Sequence, residues 1–215
     1  MRAAHSAILA LCLGALMPAA SIAARAQGVL DDWEKVALPP APAVKPAVID
    51  PATTALLLFD FTTQTCSQER RPRCAASMPK MARLLADARA KKMLVIYSVA
   101  LANTTAKDMM PEITPGDGEA VLPSLGPNKF LNSGFEKMLR DKGVTTIILN
   151  GTAAQSTVLH TGGEAALRGF NVVVPIDGMS SNEAFPELYT AYHLTSAARI
   201  ADKVTLTRAD MISYR

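Results

Sequence analysis

Ala55-Leu56-Leu57-Leu58-Phe59-Asp60 is a run of five apolar residues closed by a carboxylate. A surface helix would repeat its apolar positions every 3.6 residues, and a half-buried strand would alternate. This run does neither. Unbroken apolar strands of this length belong to parallel sheets covered on both faces. Asp60 then closes the strand at its carboxyl end, where ligands of open parallel sheets bind.

The chain on either side fits that reading. Met93–Tyr97 is a second buried strand, and Val144–Leu149 a third, ending at Asn150-Gly151. Val172–Ile176 is a fourth, ending at Asp177-Gly178, and Val204–Thr207 a last short one. Helices are expected between them. Met78–Lys91 carries Met81, Leu84, Leu85 and Ala88 at helical spacing. Phe135–Lys142 stops at Gly143, Thr157–Arg168 stops at Gly169, and Glu183–Ala198 follows. The alternation predicts an α/β, three-layer Rossmann-like fold, with a mainly parallel sheet flanked by helices on both faces. Residues 99–127 hold Pro111, Pro115, Gly116, Gly118, Pro123 and Pro127 and read as one long irregular loop of the kind that carries function.

The first 26 residues have a different character. Arg2 and His5 precede an apolar run from Ala7 to Met17, and small residues lead to Ala24-Arg25-Ala26. That is the pattern of a secretory signal peptide, and the run is too short to span a bilayer. The expected organisation is a signal at 1–26, a Pro-rich leader at 27–52 and one domain at 53–215, in the periplasm or outside the cell. Pro39, Pro40, Pro42, Pro46 and Pro51 favour extended chain over helix in the leader, with Trp33 as its anchor.

Cleavage after Ala26 would leave 189 of the 215 residues. It would remove Arg2 and Arg25, reducing the formal charge from +3 to +1. With the excess charge goes the case for nucleic acid as a partner, since no basic stripe with interleaved aromatics remains. No membrane contact is expected after cleavage. Cys12 would also leave, and Cys66 and Cys74 remain. Two cysteines eight positions apart in an exported chain are expected to pair. Closing so short a loop contributes roughly 2.5 kcal/mol in the chain-entropy account.

Several chemistries lack their motifs. No G-x-G-x-x-G follows a strand, and there is neither a phosphate-binding P-loop nor a G-x-S-x-G elbow. Ser156 and His160 share a helix face without an orienting third residue. His193 with Tyr189 and Tyr192 is expected on the packed face of its helix.

Four blocks together resemble the isochorismatase-like hydrolases, also called the cysteine hydrolase family. They are TALLLFDF (54–61), LLADARAKKMLVIYS (84–98), LRDKGVTTIILNGTAAQSTVLHT (139–161) and ALRGFNVVVPIDGMSS (166–181). The resemblance spans about residues 53–207. It implies a catalytic Asp at Asp60. It places the family's nucleophilic Cys at Thr157, so thiol chemistry is not expected. The family's Lys falls on Ser124 when counted back from Gly143, and Lys129, five residues on, is the lysine carried forward as a candidate. The Gln that often follows the Asp is Thr62. No His lies between residues 97 and 120, where nicotinamidases hold a metal, so no metal or other cofactor is expected. The resemblance also implies a cis peptide at Thr152–Ala153, with the Ala153 and Thr157 amides facing an oxyanion.

The expected site is therefore Asp60, Lys129 and Thr157 as the catalytic set, with Gly151, Thr152, Ala153 and Asp177 around a small anionic substrate. Relatives that lack the Cys hydrolyse vinyl ethers, using the Asp as proton donor. That role calls for a carboxyl in apolar surroundings. The expected activity is hydrolysis with Asp60 as general acid/base, in a homo-oligomer. The alternative is a non-catalytic ligand-binding or scaffolding protein on the same fold.

Overall fold

A computed structural model describes residues 28–124 and 126–215. The signal segment expected at 1–26 lies outside the described residues. The chain divides into two units, one up to Leu38 and one from Pro39 onward. The first holds a single-turn helix, α1 (Val29–Asp32), ahead of the prolines. Trp33, expected as an anchor, is exposed.

The second unit is built on parallel strands. In chain order its elements are β1 (Ala47–Ile49), β2 (Thr54–Phe59), α2 (Pro72–Ala90), β3 (Leu94–Ser98), β4 (Ala120–Leu122), α3 (Phe135–Asp141), β5 (Thr146–Thr152), α4 (Leu159–Leu167), β6 (Asn171–Pro175), β7 (Met179–Ser180), α5 (Ala184–Ser196), β8 (Val204–Thr207) and β9 (Ile212–Tyr214). The main sheet has seven strands in the order β4-β3-β2-β5-β6-β8, and β7 pairs alongside the end of β5. All of its pairings are parallel.

The apolar run that suggested the fold is the central strand. All six residues of β2 are buried, because its side chains serve two cores in alternation. Ala55, Leu57 and Phe59 join the core on one face, with Phe135 and Leu139 of α3, Ala165 of α4 and Leu194 of α5. Leu56 and Leu58 join the other, with Met78, Met81 and Leu85 of α2. Helices on both faces complete the expected three-layer α/β architecture.

Some boundaries differ from the sequence reading. α2 begins at Pro72, six residues before Met78, because Pro72 at its first position comes with a preset φ. The stretch 99–127 is not wholly irregular: three of its residues form the edge strand β4, too short to show a period. Val204–Thr207 is not the last strand, since β9 pairs with β1 of the leader in a separate two-stranded sheet. Tyr189 and Tyr192 are not on a packed face. They are exposed, while Thr190, Ala191 and Leu194 turn inward. Tyr189 stacks between Phe185 and His193, with ring centroids 6.4 Å and 6.0 Å away.

Candidate active site at the carboxyl end of the sheet

β2 delivers Asp60 to the end of the sheet, and the backbone turns sharply there. Asp60 has φ 64°, in the left-handed region that Asp tolerates better than most side chains. The conformation is held from outside: the Asp60 amide donates to the Ser98 carbonyl at 2.9 Å, and the Thr65 hydroxyl donates to the Asp60 carbonyl.

Four hydrogen bonds converge on the Asp60 carboxylate. Lys129 Nζ lies 3.1 Å from each of its oxygens. Ser98 Oγ donates to Oδ1 at 2.7 Å, and Thr157 Oγ1 donates to Oδ2 at 2.5 Å. Asp60, Lys129 and Thr157 are 3%, 1% and 2% exposed, so this is an interior cluster. The carboxyl is buried, as expected. Its surroundings are donors, however, where an apolar pocket was anticipated.

Lys129 reaches the site because its loop is pinned on both sides. Its own amide donates to Thr161 Oγ1, and Thr161 Oγ1 donates to the Pro127 carbonyl. Next to it, Phe130 sinks into the core against Phe135 and Phe170, centroids 4.9 Å and 5.9 Å away. The ammonium also donates to the Gly126 carbonyl at 3.0 Å. A buried ammonium needs this many acceptors to offset its lost hydration.

Thr157 is set by the end of β5. Gly151 is a point of close approach: a Cβ there would sit 3.1 Å from the Phe59 carbonyl oxygen and 3.3 Å from Val158 Cγ2. The Thr152–Ala153 peptide is cis. Ala154–Val158 then forms a π-helical turn before α4, so the helix expected from Thr157 begins with a wider turn. β7 lies beside this corner, where Ala154 N donates to Ser181 Oγ at 3.2 Å and Ser180 Oγ to Thr152 Oγ1 at 3.0 Å.

The remaining candidates fall elsewhere or play other parts. Asp177 Oδ1 accepts from the Ala209 amide at 2.9 Å, and Oδ2 pairs with Lys80 at 3.1 Å, so its carboxylate ties together turns and α2. His160 is exposed, and no hydrogen bond joins it to Ser156 among the described residues. Thr62 is buried and bonded to Thr65. Cys66 and Cys74 are buried and joined as a disulfide. Among the described residues no group of three His, Cys, Asp or Glu side chains is placed to hold a metal ion. Ser98 and Arg71 went unread in the sequence. Ser98 carried one usable signal, its place at the end of the strand beside β2. Arg71 carried none.

Residues 54–207 match the isochorismatase domain model. The chain belongs to the isochorismatase family. Membership implies a hydrolase scaffold. Among curated relatives it is 27% identical over 117 residues to a secreted isochorismatase effector of Verticillium dahliae, a match covering 50% of this chain and 62% of that protein. It is 29% identical over 80 residues to an uncharacterized isochorismatase family protein of Bacillus subtilis, covering 37% and 44%. The chain thus spans about half the length of these curated relatives. Among solved structures, an isochorismatase family protein of Desulfovibrio vulgaris superposes with TM-score 0.67 at 20% identity, over 74% of this chain and 95% of that one. A cysteine hydrolase of Pseudomonas syringae gives 0.66 at 18%, over 79% and 94%. Likeness at that identity establishes the fold.

Proposed function

We propose that this protein is an exported hydrolase whose catalytic set is Asp60, Lys129 and Thr157, with a hydroxyl in the place of the family's thiol. The observation that carries the reading is the convergence of Lys129 Nζ and Thr157 Oγ1 on one buried carboxylate at the sheet's carboxyl end. Asp60 serves as general acid/base toward a small anionic substrate, and Lys129 sits close enough to exchange a proton with it without solvent. In hydrolysis of an enol ether, a proton from this pair adds to the substrate carbon. Water then adds to the oxocarbenium carbon and returns a proton to the pair, giving a hemiketal. The pair moves the hemiketal hydroxyl proton to the ether oxygen, the C–O bond breaks, and a carbonyl compound and the alcohol leave. On an amide substrate, where water adds to the carbonyl carbon, the corner at Gly151, Thr152 and Ala153, together with the Thr157 amide, receives the negative charge that develops on the carbonyl oxygen.

Purified protein screened on small amides and enol ethers tests the activity. Asp60→Asn is expected to lower kcat/KM by at least a hundredfold on any substrate found. Unchanged turnover in Asp60→Asn would overturn the assignment. The signal pattern, the disulfide and the secreted relative support export, which predicts a mature N-terminus at Gln27. A homo-oligomer belongs to the same proposal, and deletion of residues 27–50 should change its sedimentation.

One observation favours the second reading, a ligand-binding or scaffolding protein. Asp60, Lys129 and Thr157 satisfy one another and are nearly closed to solvent. Absence of turnover across both substrate classes would support it.

A further inference from the structure

Arg71 stands at the rim of this corner. Its Nη1 donates to Thr152 Oγ1, and its Nε donates to Asn182 Oδ1 at 2.9 Å. Thr152 is buried and precedes the cis peptide, while Asn182 is exposed, so the half-buried guanidinium spans from the interior to the surface. Both of its partners are neutral. Among the described residues no carboxylate lies within ion-pair distance of Arg71.

Other arginines differ. Arg73 pairs with Glu187, Arg89 with Glu119, Arg168 with Glu136 and Glu164, and Arg208 with Asp210. Those carboxylates hold the four guanidinium groups above their ordinary value. Burial pushes Arg71 down. Glu187, which accepts from Ser181 N, is the acid of this neighbourhood and is engaged by Arg73.

A half-buried cation without a counter-ion is costly to hold in place. Here the chain holds it firmly. Arg71 lies inside the loop closed by Cys66–Cys74, and its carbonyl accepts from the Cys74 and Ala75 amides at the start of α2, which fixes its backbone while Thr152 and Asn182 hold the guanidinium. A guanidinium offers five N–H donors, and the two described bonds leave three, including both on Nη2. That free end suits two oxygens of one carboxylate.

We propose that Arg71 is the specificity residue that anchors a substrate carboxylate beside the Thr152–Ala153 corner. The proposal rests on the reading that this corner is where substrate binds. It goes further by naming the group recognised, a planar carboxylate, and the residue that recognises it. The disulfide-closed loop presents Arg71 already oriented, which reduces the ordering cost of binding.

The test is calorimetric titration of the full chain with acetate, benzoate and malonate, each against its amide. The expected result is saturable binding of at least one carboxylate, with no binding of its amide. Arg71→Met should weaken it at least tenfold. Arg71→Lys should fall between, since an ammonium cannot match both oxygens. Should Arg71→Met fail to fold, phenylglyoxal labelling of the wild-type protein gives a second measure. Bound carboxylate should then slow modification of Arg71 at least threefold, read by peptide mass spectrometry. Failure of every carboxylate to bind, equal affinity in Arg71→Met, or unprotected labelling would each overturn the proposal. Arg71-dependent binding in a protein that turns over nothing would sustain it and overturn the hydrolase reading. Turnover without such binding would do the reverse.

Discussion

Lys129 Nζ sits 3.1 Å from both carboxylate oxygens of Asp60, although the two residues are 69 positions apart. Both are almost wholly buried. Removing the cation from such a pair strands a charge in the interior and typically costs about 3–5 kcal/mol. Lys129→Met should therefore lose about that much stability in urea unfolding. Adding Asp60→Asn should restore part of it, because the double variant has no unpaired charge. A loss under about 1 kcal/mol in the single variant would show that the pair does not form in solution.

Gly178 has no room for a side chain. A Cβ there would stand 2.1 Å from Asn150 Oδ1 and 3.0 Å from Met81 Cε. Asn150 is fully buried and held by its own bond to the Leu57 carbonyl at 3.2 Å. Gly178→Ala should cost about 1–3 kcal/mol by overpacking. In an Asn150→Ala background the same substitution should cost clearly less. Equal costs in the two backgrounds would place the conflict elsewhere.

Glu119 fastens the edge of the sheet. Arg89 grips it through two bonds of 2.9 Å and 2.8 Å, and the Gly116 amide and Tyr97 hydroxyl donate to it at 2.7 Å and 3.1 Å. Burial alone would raise this carboxyl, but those donors outweigh it and hold the group below its ordinary value of 4.5. A depressed folded value gives stability that is present above 4.5 and fades as pH falls through the folded value. Glu119→Gln should thus lose about 0.5–1 kcal/mol at pH 7, the modest size reflecting solvent screening of a partly exposed pair. The gap to wild type should close on acidification. A gap that does not narrow at all as the pH falls below 4.5 would refute the assignment.

The Cys66–Cys74 bond closes a loop of eight positions. Replacing both cysteines with serine should cost roughly 2.5 kcal/mol, read as a lowered urea midpoint. Without reductant, the denatured protein should show no free thiol at either position. Two labelled thiols there would contradict the pairing.

The position of Asp60 could be read without a structure because it depends on local patterning. Five consecutive apolar residues signal burial on both faces, and the residue closing such a strand falls at the ligand end of a parallel sheet. Gly151 could be placed for the same reason, at the end of a strand of equal clarity, and Thr157 by the family resemblance, which sets its position six residues further on. Thr146–Gly151 pairs residue for residue with Thr54–Phe59, so the ends of both strands arrive together.

What the sequence alone determined was therefore the layered sheet, the strand-end Asp60 and the pairing of two nearby cysteines. Only the tertiary structure decided that Lys129 reaches Asp60, that Ser98 joins it, that Asp177 turns to Lys80 and Ala209, and that Arg71 meets Thr152 across 81 positions. The physical reason is the nature of loops. Strand periodicity fixes which way a side chain points from within a few residues. A loop side chain such as Lys129 goes where its anchors put it. Those anchors, Phe130 in the core and Thr161 on α4, exist only once distant segments have packed.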